Sequence, residues 1–287
     1  MTDRGKPRES RTRAFGRPIR AALLPVLLPG LLPVLVVALW TGVVAAKPLP
    51  ERNPETVSSA TVVGVTDGDT VTLDTGAEVR LTGIQAPKLP LGRPGFRKWP
   101  LADEAKAALE EMSAGRTVSL AYDGARIDRW GRLLAQLRAG DVWLQQEMLR
   151  RGLARVYTFR DNRSHAAALY GAEGEARAAK RGIWALGWYR ILGPGETDRH
   201  IGTFQLVEGR PVSVAVVRGT GYLNFGRDWK TDFTASISDR DMKTFRRDGV
   251  DIRAYEGKLI RVRGWLVSRN GPMIAVTHPE QIEVLNP

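Results

Sequence analysis

Two aspartates flank a glycine in Asp67-Gly68-Asp69, and Arg80 follows eleven residues on. About 50 residues further lies a charged hairpin, Asp128-Arg129-Trp130-Gly131-Arg132. Guanidinium forks match phosphate oxygens and stabilise charge that grows on them. Arginines set near carboxylates therefore suit chemistry on a phosphodiester. Each piece alone is ordinary, since most aspartate-glycine turns only reverse a chain. The order is what is specific: the acidic turn, Arg80, a Gly83-Ile84-Gln85-Ala86-Pro87 turn, the hairpin, then Gly152-Leu153-Ala154-Arg155-Val156.

Between Val79 and Ala102 the chain holds Arg80, Lys88, Arg93, Arg97 and Lys98 with no acidic residue, a cationic stretch suited to a polyanion. The formal net charge of the chain is +12. Five of those charges lie in the first 20 residues, so the rest is only mildly basic. There is no cysteine, which excludes disulfides, thiolate nucleophiles and thiolate metal sites. His200 and His278 lack metal-ligand spacing and read as structural.

Positioning these groups requires a β-rich frame. Residues 60–83 alternate in three short β-prone pieces broken at Asp67-Gly68 and Thr75-Gly76, a β-meander. A proline- and glycine-rich loop (89–100) leads to a helix over 102–112. Strands are expected over 117–122, 133–137 and 153–159, with helices over 142–151 and 164–181. About five strands with three helices is the inventory of a small barrel.

The segments Val65-Thr66-Asp67-Gly68-Asp69-Thr70-Val71, Val79 to Pro87, Asp128 to Arg132, Gly152 to Val156 and Arg181-Gly182-Ile183-Trp184 together resemble the staphylococcal nuclease (thermonuclease) family over about residues 60–190. The resemblance implies an α+β fold, a five-stranded OB-type barrel with three helices. It also implies a nucleic-acid phosphodiesterase in which calcium and two arginines hold the phosphate and a glutamate activates water. Asp69 falls at a metal-ligand position and Asp67 at its acidic neighbour. Arg80 and Arg132 fall at the phosphate clamp. Trp130, with Arg129 beside it, and Tyr157 fall at or near ring positions beside the nucleotide, where stacking needs no base identity.

Two positions depart from that pattern. Gln85 stands where a second metal-binding aspartate is expected, leaving one neutral oxygen for calcium. Lys88 stands where the glutamate base is expected, and an ammonium takes no proton from water, though it can contact phosphate. Two readings remain open: a nuclease with an altered site and reduced activity, or an inactive module that binds single-stranded nucleic acid or another polyanion.

Residues 200–287 form a second β pattern, with strands expected over 209–218, 221–225, 232–237, 259–267, 273–277 and 281–285. This fits a second, small OB-like barrel. Tyr222, Phe225, Trp229 and Phe233 lie close together, and Lys258, Arg261 and Arg263 alternate along one strand. That mixture suits a single-strand-binding face, although about half of such aromatics belong in a core.

At the other end, a basic segment (1–20) precedes 26 uncharged residues (21–46), the order of an export signal or, if retained, a membrane anchor. The barrels are then expected outside the cytoplasm, in a periplasmic or secreted location, after a proline-rich linker over 47–59.

Overall fold

The computed structural model describes residues 58–285. The expected export segment and most of the linker lie outside them. Among the described residues no helix is long and apolar enough to cross a membrane.

The first barrel is built from β1 (Ser58–Asp67), β2 (Thr70–Leu73), β3 (Glu78–Leu81), β5 (Thr117–Ala121) and β6 (Leu133–Ala139), with β4 (Gly83–Gln85) leaving it toward the loop. Period-two alternation puts Val62, Val71, Leu73, Val79, Leu81, Leu120 and Leu137 inside. β1, β2 and β3 form the expected antiparallel meander, in register at Val65 with Val71 and Val71 with Val79. β5 returns antiparallel to β1, and β6 closes the barrel by running parallel to β3, Arg80 opposite Leu134. A parallel closing pair needs a crossover, and α1 (Ala102–Ser113) supplies it, burying Ala105, Leu109 and Met112.

The chain continues through β7 (Val142–Trp143), α2 (Leu144–Arg150), β8 (Arg155–Tyr157) and α3 (Ala166–Ala178). The expected helix over 142–151 begins two residues late, because Val142 and Trp143 pair with β6. The expected strand over 153–159 is shorter and pairs with β4.

The second barrel repeats this connectivity without a repeat in residues. Its strands are β9 (Phe204–Gly209), β10 (Ser213–Val217), β11 (Thr220–Asn224), β12 (Thr234–Ile237), β13 (Ile260–Ser268), β14 (Pro272–Ala275) and β15 (Ile282–Val284). β10, β11 and β12 form a meander, α4 (Asp239–Arg247) crosses over, β13 pairs antiparallel with β9, and β14 runs parallel to β12. The strand expected over 209–218 is split. Pro211 has no N–H for a ladder, and the chain bends there between β9 and β10. Ser238 caps α4 by accepting from the Asp241 amide at 3.2 Å. Phe225 and Phe233 are core, their rings 4.9 Å apart.

The basic strand is where expectation and structure differ. Arg261 and Arg263 do not form an open face: both are buried. β13 lies between β9 and β14, with β15 also paired to it. Arg261 therefore pairs with Glu208 and Glu283, while Arg263 reaches Glu173 of α3 at 3.0 Å and the Val156 carbonyl at 3.0 Å. Trp265, by contrast, is exposed and donates its indole N–H to the Tyr157 hydroxyl at 3.2 Å.

These bonds belong to a polar seam between the barrels. His278 is bonded to Thr158 at 2.7 Å and to its neighbour Thr277 at 2.8 Å. Arg163 pairs with Glu280 and Asp248 at 2.7 and 2.6 Å, and Arg160 pairs with Asp241.

Candidate metal and nucleic-acid site

The acidic turn connects β1 to β2 and is held from two sides. Gly68 permits this: a Cβ there would lie 2.7 Å from the Cβ atoms of both Ala105 on α1 and Ala86. No ordinary side chain fits that approach, so the turn seats directly on the helix and on the segment after β4. Within the turn the Asp69 amide donates to Asp67 Oδ1 at 3.1 Å. The Ala86 amide donates to Asp69 Oδ2 at 2.7 Å, which ties the Gln85-Ala86-Pro87-Lys88 stretch to the acidic pair.

Lys88 completes this arrangement. Its ammonium lies 2.6 and 2.7 Å from the two carboxylate oxygens of Asp69 and 3.2 Å from Asp67 Oδ2. Asp69 is fully buried. Burial by itself would push its carboxyl up, but Arg80, Lys88 and the Ala86 amide outweigh it and hold the group down to about 2. Asp67 is displaced the other way, raised by burial and by the neighbouring Asp69 charge.

Arg80, expected at the phosphate clamp, is turned inward. It lies 3.2 Å from Asp69 Oδ1 and donates to the carbonyls of Leu81 at 2.7 Å, Ile84 at 2.6 Å and Asp69 at 3.3 Å. With its guanidinium satisfied by the barrel wall and only 9% of the residue exposed, it braces the turn. Gln85 is buried, and its side-chain oxygen accepts from Arg155 at 3.1 Å. Arg155 also donates to the Phe204 carbonyl of the second barrel at 3.1 Å. Burial lowers the Arg155 guanidinium to about 10.

Calcium takes six to eight oxygens and favours charged ones. Here both Asp69 oxygens already bind an ammonium, one of them also binds an amide, and the Gln85 oxygen is held by Arg155. Among the described residues no group of three or more aspartates, glutamates or histidines could hold a metal ion. Asp69, Asp67 and Gln85 therefore do not fit a calcium ion while Lys88 stands where it does.

Arg129, Trp130 and Arg132 lie on the hairpin. Asp128 accepts from the Trp130 and Arg132 amides at 2.9 and 3.0 Å and binds the Arg132 guanidinium at 2.7 and 2.8 Å. Trp130 is 66% exposed, with the Arg129 guanidinium 4.0 Å and that of Arg132 5.3 Å from its ring centre. Two similar pairs were not singled out from the sequence: Arg126 over Tyr122 at 4.2 Å and Arg93 over Phe96 at 3.7 Å. An arginine three or four residues from an aromatic was their only signal. Tyr157 is not on this hairpin. It lies at the seam, edge-on to Phe159 and Phe204, each 4.9 Å away.

Residues 78–186 match the family described as staphylococcal nuclease homologue. The chain is 28% identical over 127 residues to a thermonuclease of Staphylococcus hyicus, covering 43% of this chain and 74% of that protein. It is 34% and 33% identical over 110 residues to two probable staphylococcal-like nucleases of Oryza sativa subsp. japonica, covering 38% of this chain and 26% of each of those proteins. The chain thus spans about a quarter of the rice proteins' length.

Proposed function

The chain carries a domain of the staphylococcal nuclease family at residues 78–186, and from that premise we propose that its first barrel binds single-stranded nucleic acid, or a comparable polyanion, without a divalent metal and without metal-dependent hydrolysis. The observation that carries this reading is the Lys88 ammonium between Asp69 and Asp67. It supplies in place the positive charge that the acidic pair would otherwise take from a metal, and it removes the expected base. Arg80 is satisfied internally, so contact with the ligand passes to the hairpin. Trp130 offers an open ring for a base, worth about 1–3 kcal/mol per stacked base. Arg129, Arg132 and the exposed Arg97 offer charge for phosphates.

Retained hydrolysis is the second reading, supported by the nuclease relatives and by one carboxylate. Glu78 and Arg132 immediately precede Val79 and Leu133, which are paired between β3 and β6, so the glutamate and the arginine sit at adjoining strand ends. Loss of a general base costs about 10²–10⁴-fold, which leaves measurable turnover if the rest of the site works.

The two readings separate in one assay. Full-length protein is incubated with single-stranded DNA in calcium or in EDTA. Binding without products, equal in both and weakened by salt, is the expected result. Products that need calcium and disappear in Arg132→Ala would establish hydrolysis instead.

The basic-then-apolar N-terminal order supports a further proposal, that both barrels act outside the cytoplasm. Alkaline phosphatase fused after Ser59 is then active in bacterial cells, and an inactive fusion of normal abundance refutes export.

A further inference from the structure

Among the described residues nothing packs over the outer face of the second barrel, which is built unlike an ordinary solvated sheet. On β11 the side chains alternate, Leu223 inward and Tyr222 and Asn224 outward. The same side is lined by Ala215 and Val217 on β10, Thr234 on β12 and, one strand further, the buried Met273 on β14. Together with the exposed Trp229 they line a cavity of about 370 Å³. The lining of this first hollow includes Arg269 and no carboxylate, and the one carboxylate lining the adjoining hollow, Asp241, is paired with Arg160.

The loops that border this face carry exposed cations, although the Trp229 loop balances its two with Asp228 and Asp232. Arg218 lies between β10 and β11, Arg227 and Lys230 flank Trp229 between β11 and β12, and Arg269 lies between β13 and β14. Among the described residues none of these four makes an ion pair. The aspartates of the Trp229 loop bind its backbone: Asp228 accepts from the Lys230 amide at 3.1 Å and Asp232 from the Asp228 amide at 2.8 Å. Unpaired cations around open aromatic rings match a ligand with negative charge along its backbone and flat, apolar faces.

The cavity continues. A second hollow of about 180 Å³ shares Tyr222, Arg269 and Met273 with it. A third, of about 230 Å³, shares Ala275 with the second and is lined by Tyr157, Phe159 and Trp265 at the seam with the first barrel. In OB folds the second and third strands and the loop between the fourth and fifth form the face that takes oligonucleotides or oligosaccharides. Here those are β11, β12 and the Arg269-Asn270-Gly271 loop. Fold alone assigns no ligand; the rings and unpaired arginines do.

We propose that this groove, from Trp229 past Tyr222 and Arg269 to Tyr157 and Trp265, binds single-stranded nucleic acid by stacking and phosphate contact and guides it toward the first barrel. The proposal rests on the reading that the first barrel binds nucleic acid, and its test separates the two. Full-length protein is titrated with fluorescein-labelled oligothymidylate of about 20 nucleotides, longer than the ~4–16 that one OB fold covers. Anisotropy is read at several salt concentrations. Trp229→Ala is expected to bind about five- to a hundred-fold more weakly. Arg269→Ala is expected to lower the salt slope by about one. Both residues are exposed, so folding is preserved, which circular dichroism checks. If both variants bind as the parent does while Trp130→Ala is weakened, the groove is not used and only the first-barrel reading stands. A parent that does not bind overturns both. Fluorescence from Trp229, obtained by difference from Trp229→Ala, that responds to a chito-oligosaccharide but not to oligothymidylate assigns a sugar and also overturns the proposal.

Discussion

Lys88 Nζ stands 2.6 Å from Asp69 Oδ1 and 2.7 Å from Asp69 Oδ2, bridging a carboxylate that is itself fully buried. A buried carboxylate is stable as an anion only with a compensating charge and satisfied lone pairs. In this barrel that charge comes from two side chains of the same chain, Lys88 and Arg80.

Calcium should therefore leave the parent protein's thermal stability unchanged. The double variant Lys88→Glu with Gln85→Asp restores carboxylates at both departing positions and should gain a calcium-dependent rise in melting temperature. At a hundred times the dissociation constant, binding adds about 2.7 kcal/mol. An equal calcium shift in the parent would sink the idea that the ammonium occupies the metal's place.

Removing the ammonium without replacing its charge leaves Asp69 with Arg80 alone. Breaking one side of a buried ion pair costs about 3–5 kcal/mol. Lys88→Met is expected near the lower end, because Arg80 and the Ala86 amide remain. Urea unfolding at neutral pH measures it, and a cost below ~1 kcal/mol would show that the Lys88 contact contributes little.

The seam between the barrels should weaken in mild acid. Burial, then the charges of Arg163 and Arg160, lower His278 from 6.5 to about 4. Its folded form resists protonation, so the unfolded chain binds more protons as pH falls below about 6.5, and stability rises with pH across that window. The full loss between pH 6.5 and 4 is about 3 kcal/mol from this group. Unfolding measured across that range should show a flatter profile in His278→Gln. An unchanged slope would mean that His278 is not the group responsible.

Arg263 should be the costliest single residue of the seam. It is 1% exposed, and its partner Glu173 is fully buried. Burial pushes the Glu173 carboxyl up, but Arg263 and the Val156 amide pull it below the usual range. Arg263→Leu leaves Glu173 with only Arg177 and the Val156 amide and should cost about 3 kcal/mol, the lower end of the range for a broken buried pair. Adding Glu173→Leu should recover part of it, as a double-mutant cycle reads out. Independent, additive losses would show that the pair is not coupled.

Much of this protein was legible in its residues. Spaced glycines, alternating strands and the acidic turn pointed to the first barrel. Gln85 and Lys88 stood out because each changes charge at a position where the surrounding motif is otherwise kept. The β13 arginines misled for a physical reason: a basic strand is assigned by residue type, but its partners arrive from other strands and helices.

The sequence by itself determined local geometry and the charge of every site residue, because turns, strand periodicity and side-chain chemistry depend on near neighbours. Only the tertiary structure decided how those charges are used. It turned Arg80 into the barrel wall, drew the Gln85 oxygen to Arg155, and set Lys88 on Asp69. The physical reason is that buried charges take the nearest partners that satisfy them, and those partners, as far as 70 residues apart for Gln85 and Arg155, meet only when the chain has folded.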